Sequence, residues 1–169
     1  MFLSVFLFLS VFLFLFVTMK IHVLISTYNR SDRLNSLVAA FKKENPCKIS
    51  VFDDGSDEPY DVPPGIDYYK FDKNNGKRGY WNVVNKMLSS VDGDFFLMVP
   101  DDVEIVKGIL STLTTTWAAI EDDNKVCLSF LTDDRVKTGN WTKHKPELKE
   151  FGDIRVWHTN WNDLAFFAP

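Results

Sequence analysis

Lys20-Ile21-His22-Val23-Leu24-Ile25-Ser26, running directly into Thr27-Tyr28-Asn29-Arg30, is the stretch on which the fold turns. Its largely apolar run has strand length and reads as a central strand buried on both faces, the mark of a parallel sheet. Outward from it the pattern repeats. Leu34, Leu37, Val38 and Phe41 recur at i, i+3, i+4 and i+7 and predict one face of a helix, with Ser31 as its N-cap. Lys48 to Phe52 reads as a second strand, stopping at Asp53-Asp54-Gly55-Ser56, and Ile66 to Phe71 as a third, after the Pro-rich loop 59–65. Tyr80, Val83, Val84, Met87 and Leu88 mark a second helix, Asp94 to Val99 a fourth strand ending at Pro100-Asp101-Asp102, and 106–120 holds a third helix. A strand is expected at Val126 to Leu131, and Ala165 begins a last apolar run. Asp133 to Gly152 is polar without clear periodicity and is expected to be a long surface loop. Strands alternating with helices define an α/β class with a mostly parallel sheet.

Composition bounds the function. The chain has 169 residues, 19 Lys+Arg against 23 Asp+Glu and a net charge of −4, which carries no electrostatic footprint for nucleic acid. Two cysteines, Cys47 and Cys127, make no disulfide scaffold and read as ordinary buried thiols. The apolar residues are unevenly spread: six of the fifteen Phe fall within the first sixteen positions. Residues 1–18 carry no charge, and at 1.5 Å per residue they nearly span a ~30 Å hydrocarbon core. The segment reads either as a membrane anchor or as an upstream extension of a frame that starts at Met19, because Phe-Leu-Ser-Val-Phe-Leu repeats at 2–7 and 8–13 and no stem precedes the first strand. The protein is expected at a membrane in the first case and in the cytoplasm in the second. N-terminal sequencing of the native protein separates them. A domain at 19–169 follows.

In an open parallel sheet, ligands bind beyond the carboxyl ends of the strands. Four polar clusters fall there: Thr27 to Arg30, Asp53 to Ser56, Asn74 to Arg78, and Asp101-Asp102. Each alone is a common turn; their joint placement on one rim points to a site. Adjacent carboxylates repel and call for a cation. A hard divalent ion takes one or two of them and completes its shell with water and phosphates. Lys77 and Arg78, in a Gly-Lys-Arg-Gly turn entering a helix, offer cations and backbone N–H groups to the same phosphates. Neither a P-loop nor a Gly-x-Gly-x-x-Gly fingerprint is present.

As an ordered set, the run Val23 to Arg30, Val51 to Ser56, Asn74-x-Gly76 with Asn82 beyond it, and the Asp101-Asp102 turn resembles the motifs of GT-A-fold glycosyltransferases of the family 2 type. The chain is also similar to small virus-encoded glycosyltransferase domains of this fold. The resemblance implies transfer of a sugar from a nucleotide-diphosphate sugar, a UDP-sugar being favoured, to a hydroxyl of a glycan, glycoprotein or other acceptor, with Mn2+ or Mg2+. It places Thr27, Tyr28, Asn29 and Arg30 along the nucleotide pocket, and Asp53 or Asp54 on base or ribose. Asp101 and Asp102 form the metal motif, with Asp102 the preferred ligand. The donor belongs to the first hundred residues and the acceptor to the region from Asp133 onward.

Three departures stand out. Pro100 occupies the first carboxylate position of the metal motif, and Tyr80-Trp81 stands where the family often has Ala-Arg, leaving phosphate contacts to Lys77 or Arg78. The catalytic base, a late carboxylate in the family, is sought in Trp157 to Asp163: Asp163 resembles it, an N-cap or turn role being the alternative, and His158 is a second choice. Trp141, Trp157 and Trp161 serve either sugar stacking or packing. Asn140-Trp141-Thr142 fits the glycosylation pattern, and Glu121 to Asp123 reads as a solvated turn. Two other functions compete: an inactive domain that retains nucleotide-sugar or carbohydrate binding, and a nucleotidyltransferase, which would carry a Gly-rich basic loop where Thr27 to Arg30 stands. The domain is short for this family, and a nearly complete donor half with a minimal or truncated acceptor half is expected.

Overall fold

A computed structural model describes residues 19–46, 48–58, 60–129, 147–158 and 165–169. Cys47, residues 1–18, and the stretches holding Trp141, Trp161, Asn140 and Asp163 lie outside the described residues. Four parallel strands, β1 (Ile21–Thr27), β2 (Lys48–Asp53), β3 (Asp67–Lys70) and β4 (Phe95–Pro100), are crossed by helices α1 (Ser31–Glu44) after β1 and α2 (Gly76–Ser89) after β3. Helix α3 (Ile109–Ala119) leads to the short β5 (Leu128–Ser129). A hairpin of β6 (Glu147–Phe151) and β7 (Ile154–His158) and a final strand β8 (Phe166–Ala168) complete the described elements. The six-stranded sheet runs β3-β2-β1-β4-β8-β5, with β8 antiparallel between β4 and β5.

The layers follow from residue alternation. Ile21, Val23 and Ile25 face α1 and α3, packing on Leu34, Leu37, Val38 and Phe41 and on Leu110 and Leu113. Leu24, Phe52 and Met98 face the other way, onto Val83, Val84 and Met87 of α2. β1 is buried along its whole length, which accounts for its near-continuous apolar run. Each fully buried aliphatic or Phe side chain contributes about 1.5–3 kcal/mol against the entropy of ordering it. β8 turns the terminal apolar run into core: Phe167 is fully buried and stacks on Phe95 with centroids 4.9 Å apart.

Three expectations are corrected. Ser31 is the first helical residue, not the N-cap; Arg30 takes the cap position with no side-chain cap bond. Asn29 turns the chain at φ 52, a left-handed conformation that Asn tolerates, and the helix starts one residue earlier than a Ser31 cap requires. The stretch 147–151, expected as loop, is strand β6, paired antiparallel with β7 around Gly152-Asp153. Gly152 has φ 59, as a tight two-residue hairpin demands. Lys149 on that hairpin reaches Asp122 at 3.1 Å, so the acidic turn after α3 is an anchor for the hairpin as well as a solvated turn. Cys127, expected buried, is partly buried.

His22 on the α2 face of β1 is fully buried. Its Nδ1 accepts the Asp92 N–H at 3.0 Å, which places the ring proton on Nε2, donating to Ser50 Oγ at 2.8 Å. Burial, and secondarily Lys48, lower its pKa from 6.5 to about 4. The folded protein therefore keeps the ring neutral where the unfolded chain takes up a proton. Its stabilising effect is complete above pH 6.5 and lost progressively down to about pH 4, the gap corresponding to about 3 kcal/mol. Urea unfolding at pH 7 and pH 4.5 is expected to show a smaller loss of stability in His22→Asn than in the unaltered protein. Equal losses would contradict the assignment.

Candidate functional site

The carboxyl ends of β1, β2 and β4 and the start of α2 meet on one rim, held by backbone bonds that cross between strands. Asp54 N–H donates to Thr27 O at 2.9 Å and Asp101 N–H to Ser26 O at 3.0 Å. The four sequence clusters are thus brought together.

At the centre lies the acidic pair. Asp101 is buried, 4% exposed, while the Asp102 side chain is 44% exposed. Thr27 donates its hydroxyl to Asp101 Oδ2 at 2.7 Å. One guanidinium nitrogen of Arg30, Nη1, donates to Asp101 Oδ1 at 3.0 Å and to Asp102 Oδ2 at 3.1 Å. Hydrogen bonding and charge from Asp101, then from Asp102, raise the Arg30 pKa further above its ordinary value, so this cation is permanent. Arg30 also lines an open cavity of ≈ 450 Å³ with Asn29, Ser31, Asp32 and Arg33, on the α1 side of the pair.

Asp53 and Asp54, expected on base or ribose, are buried and engaged within the protein. Asp53 Oδ1 accepts the Ser56 N–H at 2.8 Å and its Oδ2 the Tyr68 hydroxyl. Burial, then Asp53, raise the Tyr68 pKa. Asp54 Oδ1 accepts the Asn75 N–H at 3.0 Å and Oδ2 the Asn74 amide at 3.1 Å, tying the β2 loop to the entrance of α2. Asn29 forms a second tie: its N–H donates to Ser56 Oγ at 2.8 Å, and its amide exchanges two hydrogen bonds with Asp57 at 2.8 and 2.9 Å. Among the described residues no buried side-chain polar atom lacks a partner.

Tyr28 is exposed at the rim, and the first turn of α2 holds Lys77 and Arg78 and no acidic residue, the Asp54 carboxylate meeting the helix at its Asn75 cap. Tyr80, whose helical spacing reads as core, also reaches the site. Its hydroxyl lies 2.7 Å from Ser26 Oγ, and burial, with lesser effects of Asp54, Asp101 and Asp102, raises its pKa. Tyr68 and Asp57 are visible only through their partners. Trp157 and His158 lie on β7, both exposed, and Asp163 lies outside the described residues.

Among the described residues no group of three or more His, Cys, Asp or Glu is placed to hold a metal ion. The donor set nonetheless suits a hard divalent cation of the Mg2+ or Mn2+ kind, which needs only one or two protein carboxylates when phosphates and water supply the rest. Asp102 presents an exposed carboxylate beside the buried one of Asp101.

The mostly parallel six-stranded α/β sheet with its polar clusters at the strand ends is the architecture expected of a GT-A fold. The family model for glycosyl transferase family 2 matches residues 22–168, and the chain belongs to that family. Among solved structures it is similar to the mannosyltransferase PcManGT from Pyrobaculum calidifontis in complex with GDP-Man and Mn2+, at TM-score 0.52 and 15% identity, covering 69% of this chain and 36% of that one. Glucosyl-3-phosphoglycerate synthase from Mycobacterium tuberculosis, in complex with UDP, gives TM-score 0.55 at 13% identity, covering 72% and 47%. At these identities the likeness establishes the fold, and the chain spans about a third to a half of the length of those structures. No curated protein matches the chain.

Proposed function

We propose that the rim binds a nucleotide-diphosphate sugar, with UDP-sugars favoured, and that the protein transfers the sugar to an acceptor hydroxyl with Mn2+ or Mg2+. The observation that carries this reading is the convergence of the acidic pair, the Asp53–Asp54 loop and the positive end of α2 on one rim of a family 2 domain. The neighbouring structures with GDP-Man and Mn2+ and with UDP support it.

In this reading Asp53 and Asp54 hold the loop over which base and ribose settle, Thr27, Tyr28 and Asn29 border the nucleotide, and Lys77, Arg78 and the N–H groups of the first turn of α2 face the diphosphate. Asp102, with Asp101 behind it, would hold the divalent ion. When bound, that ion neutralises the charge that develops on the leaving diphosphate. Asp163 is proposed as the base that takes the acceptor proton.

A thermal-shift screen of nucleotides and nucleotide sugars, with and without Mn2+, tests the binding part. A ligand at 100 times its Kd stabilises the native state by about 2.7 kcal/mol, an upward shift of several degrees for a domain of this size. The account expects at least one nucleoside diphosphate or nucleotide sugar to give that shift, larger with Mn2+. No shift from any nucleotide at millimolar concentration would contradict it. A second reading, a binding domain without turnover, draws on the engagement of both metal-motif carboxylates by Arg30. Donor hydrolysis assayed with Mn2+ separates the two: turnover supports the enzyme, and binding without turnover supports the second reading.

A further inference from the structure

Arg30 Nη1 sits between the two carboxylates of the acidic pair, 3.0 Å from one oxygen and 3.1 Å from the other. A hard divalent ion held by the same two carboxylates would claim lone pairs that the guanidinium now uses. A second cation there would also meet the guanidinium charge at close range. Arg30 can leave: its side chain is 47% exposed and it borders the open cavity along Asn29 to Arg33. Asp101 keeps its Thr27 hydrogen bond when it does, so the buried carboxylate remains oriented. A diphosphate entering the rim attracts the same guanidinium, which binds phosphate oxygens as readily as carboxylates.

We propose that Arg30 is a resident counter-ion that competes with a divalent cation for Asp101 and Asp102, so that the ion binds weakly until a nucleoside diphosphate draws the guanidinium off the pair. This rests on the reading of the rim as an ion-assisted donor site. It makes Arg30 a positioning residue that couples ion binding to donor binding.

The test is Mn2+ uptake by the full chain, read from the electron paramagnetic resonance signal of free Mn2+, with Mn2+ alone and with UDP added. The unaltered protein is expected to bind Mn2+ alone weakly and to bind it more tightly with UDP. Arg30→Gln is expected to bind Mn2+ alone at least tenfold more tightly than the unaltered protein, with a smaller further gain from UDP. Arg30→Lys, which keeps a cation, should stay near the unaltered protein, and adding Asp102→Ala to Arg30→Gln should remove the gain. If the unaltered protein takes up Mn2+ with UDP but Arg30→Gln binds Mn2+ alone no better, the competition is overturned while the donor site stands. If no variant takes up Mn2+ with or without UDP, both the competition and the metal-assisted reading beneath it fail.

Discussion

Replacing Asp102 with alanine is expected to lower sugar transfer by about a thousandfold or more while leaving the fold intact. The side chain is 44% exposed, and the partner it engages is Arg30 at 3.1 Å. A surface ion pair of this kind contributes at most about 1 kcal/mol. In the proposed reading the catalytic loss is larger, because a divalent ion held by Asp102 would supply several kcal/mol of charge stabilisation to the departing diphosphate, and each 1.36 kcal/mol is a factor of ten in rate. Steady-state kcat/KM with a nucleotide sugar and Mn2+, beside a thermal melt of the same variant, separates the two effects. A large loss of rate with a melting temperature within a few degrees of the unaltered protein is the expected result. Unchanged metal-dependent nucleotide binding would remove Asp102 from the role.

Gly55→Ala is expected to have the largest effect on stability, about 3 kcal/mol or more. Gly55 lies at φ 76 in the turn after β2, and a Cβ there would stand 2.3 Å from Lys73 C, 2.5 Å from Asn74 N and 2.8 Å from Lys73 Cα. These are backbone atoms, so relief requires the β2 loop and the segment entering α2 to part. That same approach carries the Asp54 bonds to Asn74 and Asn75, so the variant should also lose nucleotide binding. Gly65→Ala is the control: φ is 81, but nothing lies within 4 Å of its Cβ, leaving only the left-handed strain of about 1 kcal/mol. Urea unfolding of both variants gives the comparison. Similar losses at the two positions would show that the close approach of the loops is not what Gly55 is needed for.

The parts of the fold that were legible in the sequence are those whose residues carry their own burial. β1, β2 and β4 are apolar enough on both faces to read as central strands, and α1 shows its stripe as Leu34, Leu37, Val38 and Phe41, all buried. The β6–β7 hairpin was not legible, because Glu147, Lys149, Glu150 and Arg155 break any apolar alternation. Its available signal is the Gly152-Asp153 turn. The rim was legible as a set of clusters, since strand ends in a parallel sheet must converge. Which side chain meets which was not. Arg30 and Asp101 are 71 residues apart, and Tyr68 and Tyr80 carry hydroxyls whose partners depend on strand register and helix rotation. Local spacing holds no record of those pairings. For the same reason Asp53 and Asp54, exposed-looking in a turn sequence, prove to be internal holders of that turn.

The central claim, that the strand-end rim is a nucleotide-sugar site, is tested most directly by amide chemical-shift mapping with UDP and Mg2+. The account predicts perturbations concentrated at Thr27 to Arg30, Asp53 to Ser56, Asn74 to Arg78 and Asp101-Asp102, on both faces of one rim. Perturbations confined to the Glu147–His158 hairpin or to the opposite end of the sheet, or none at millimolar UDP, would contradict it.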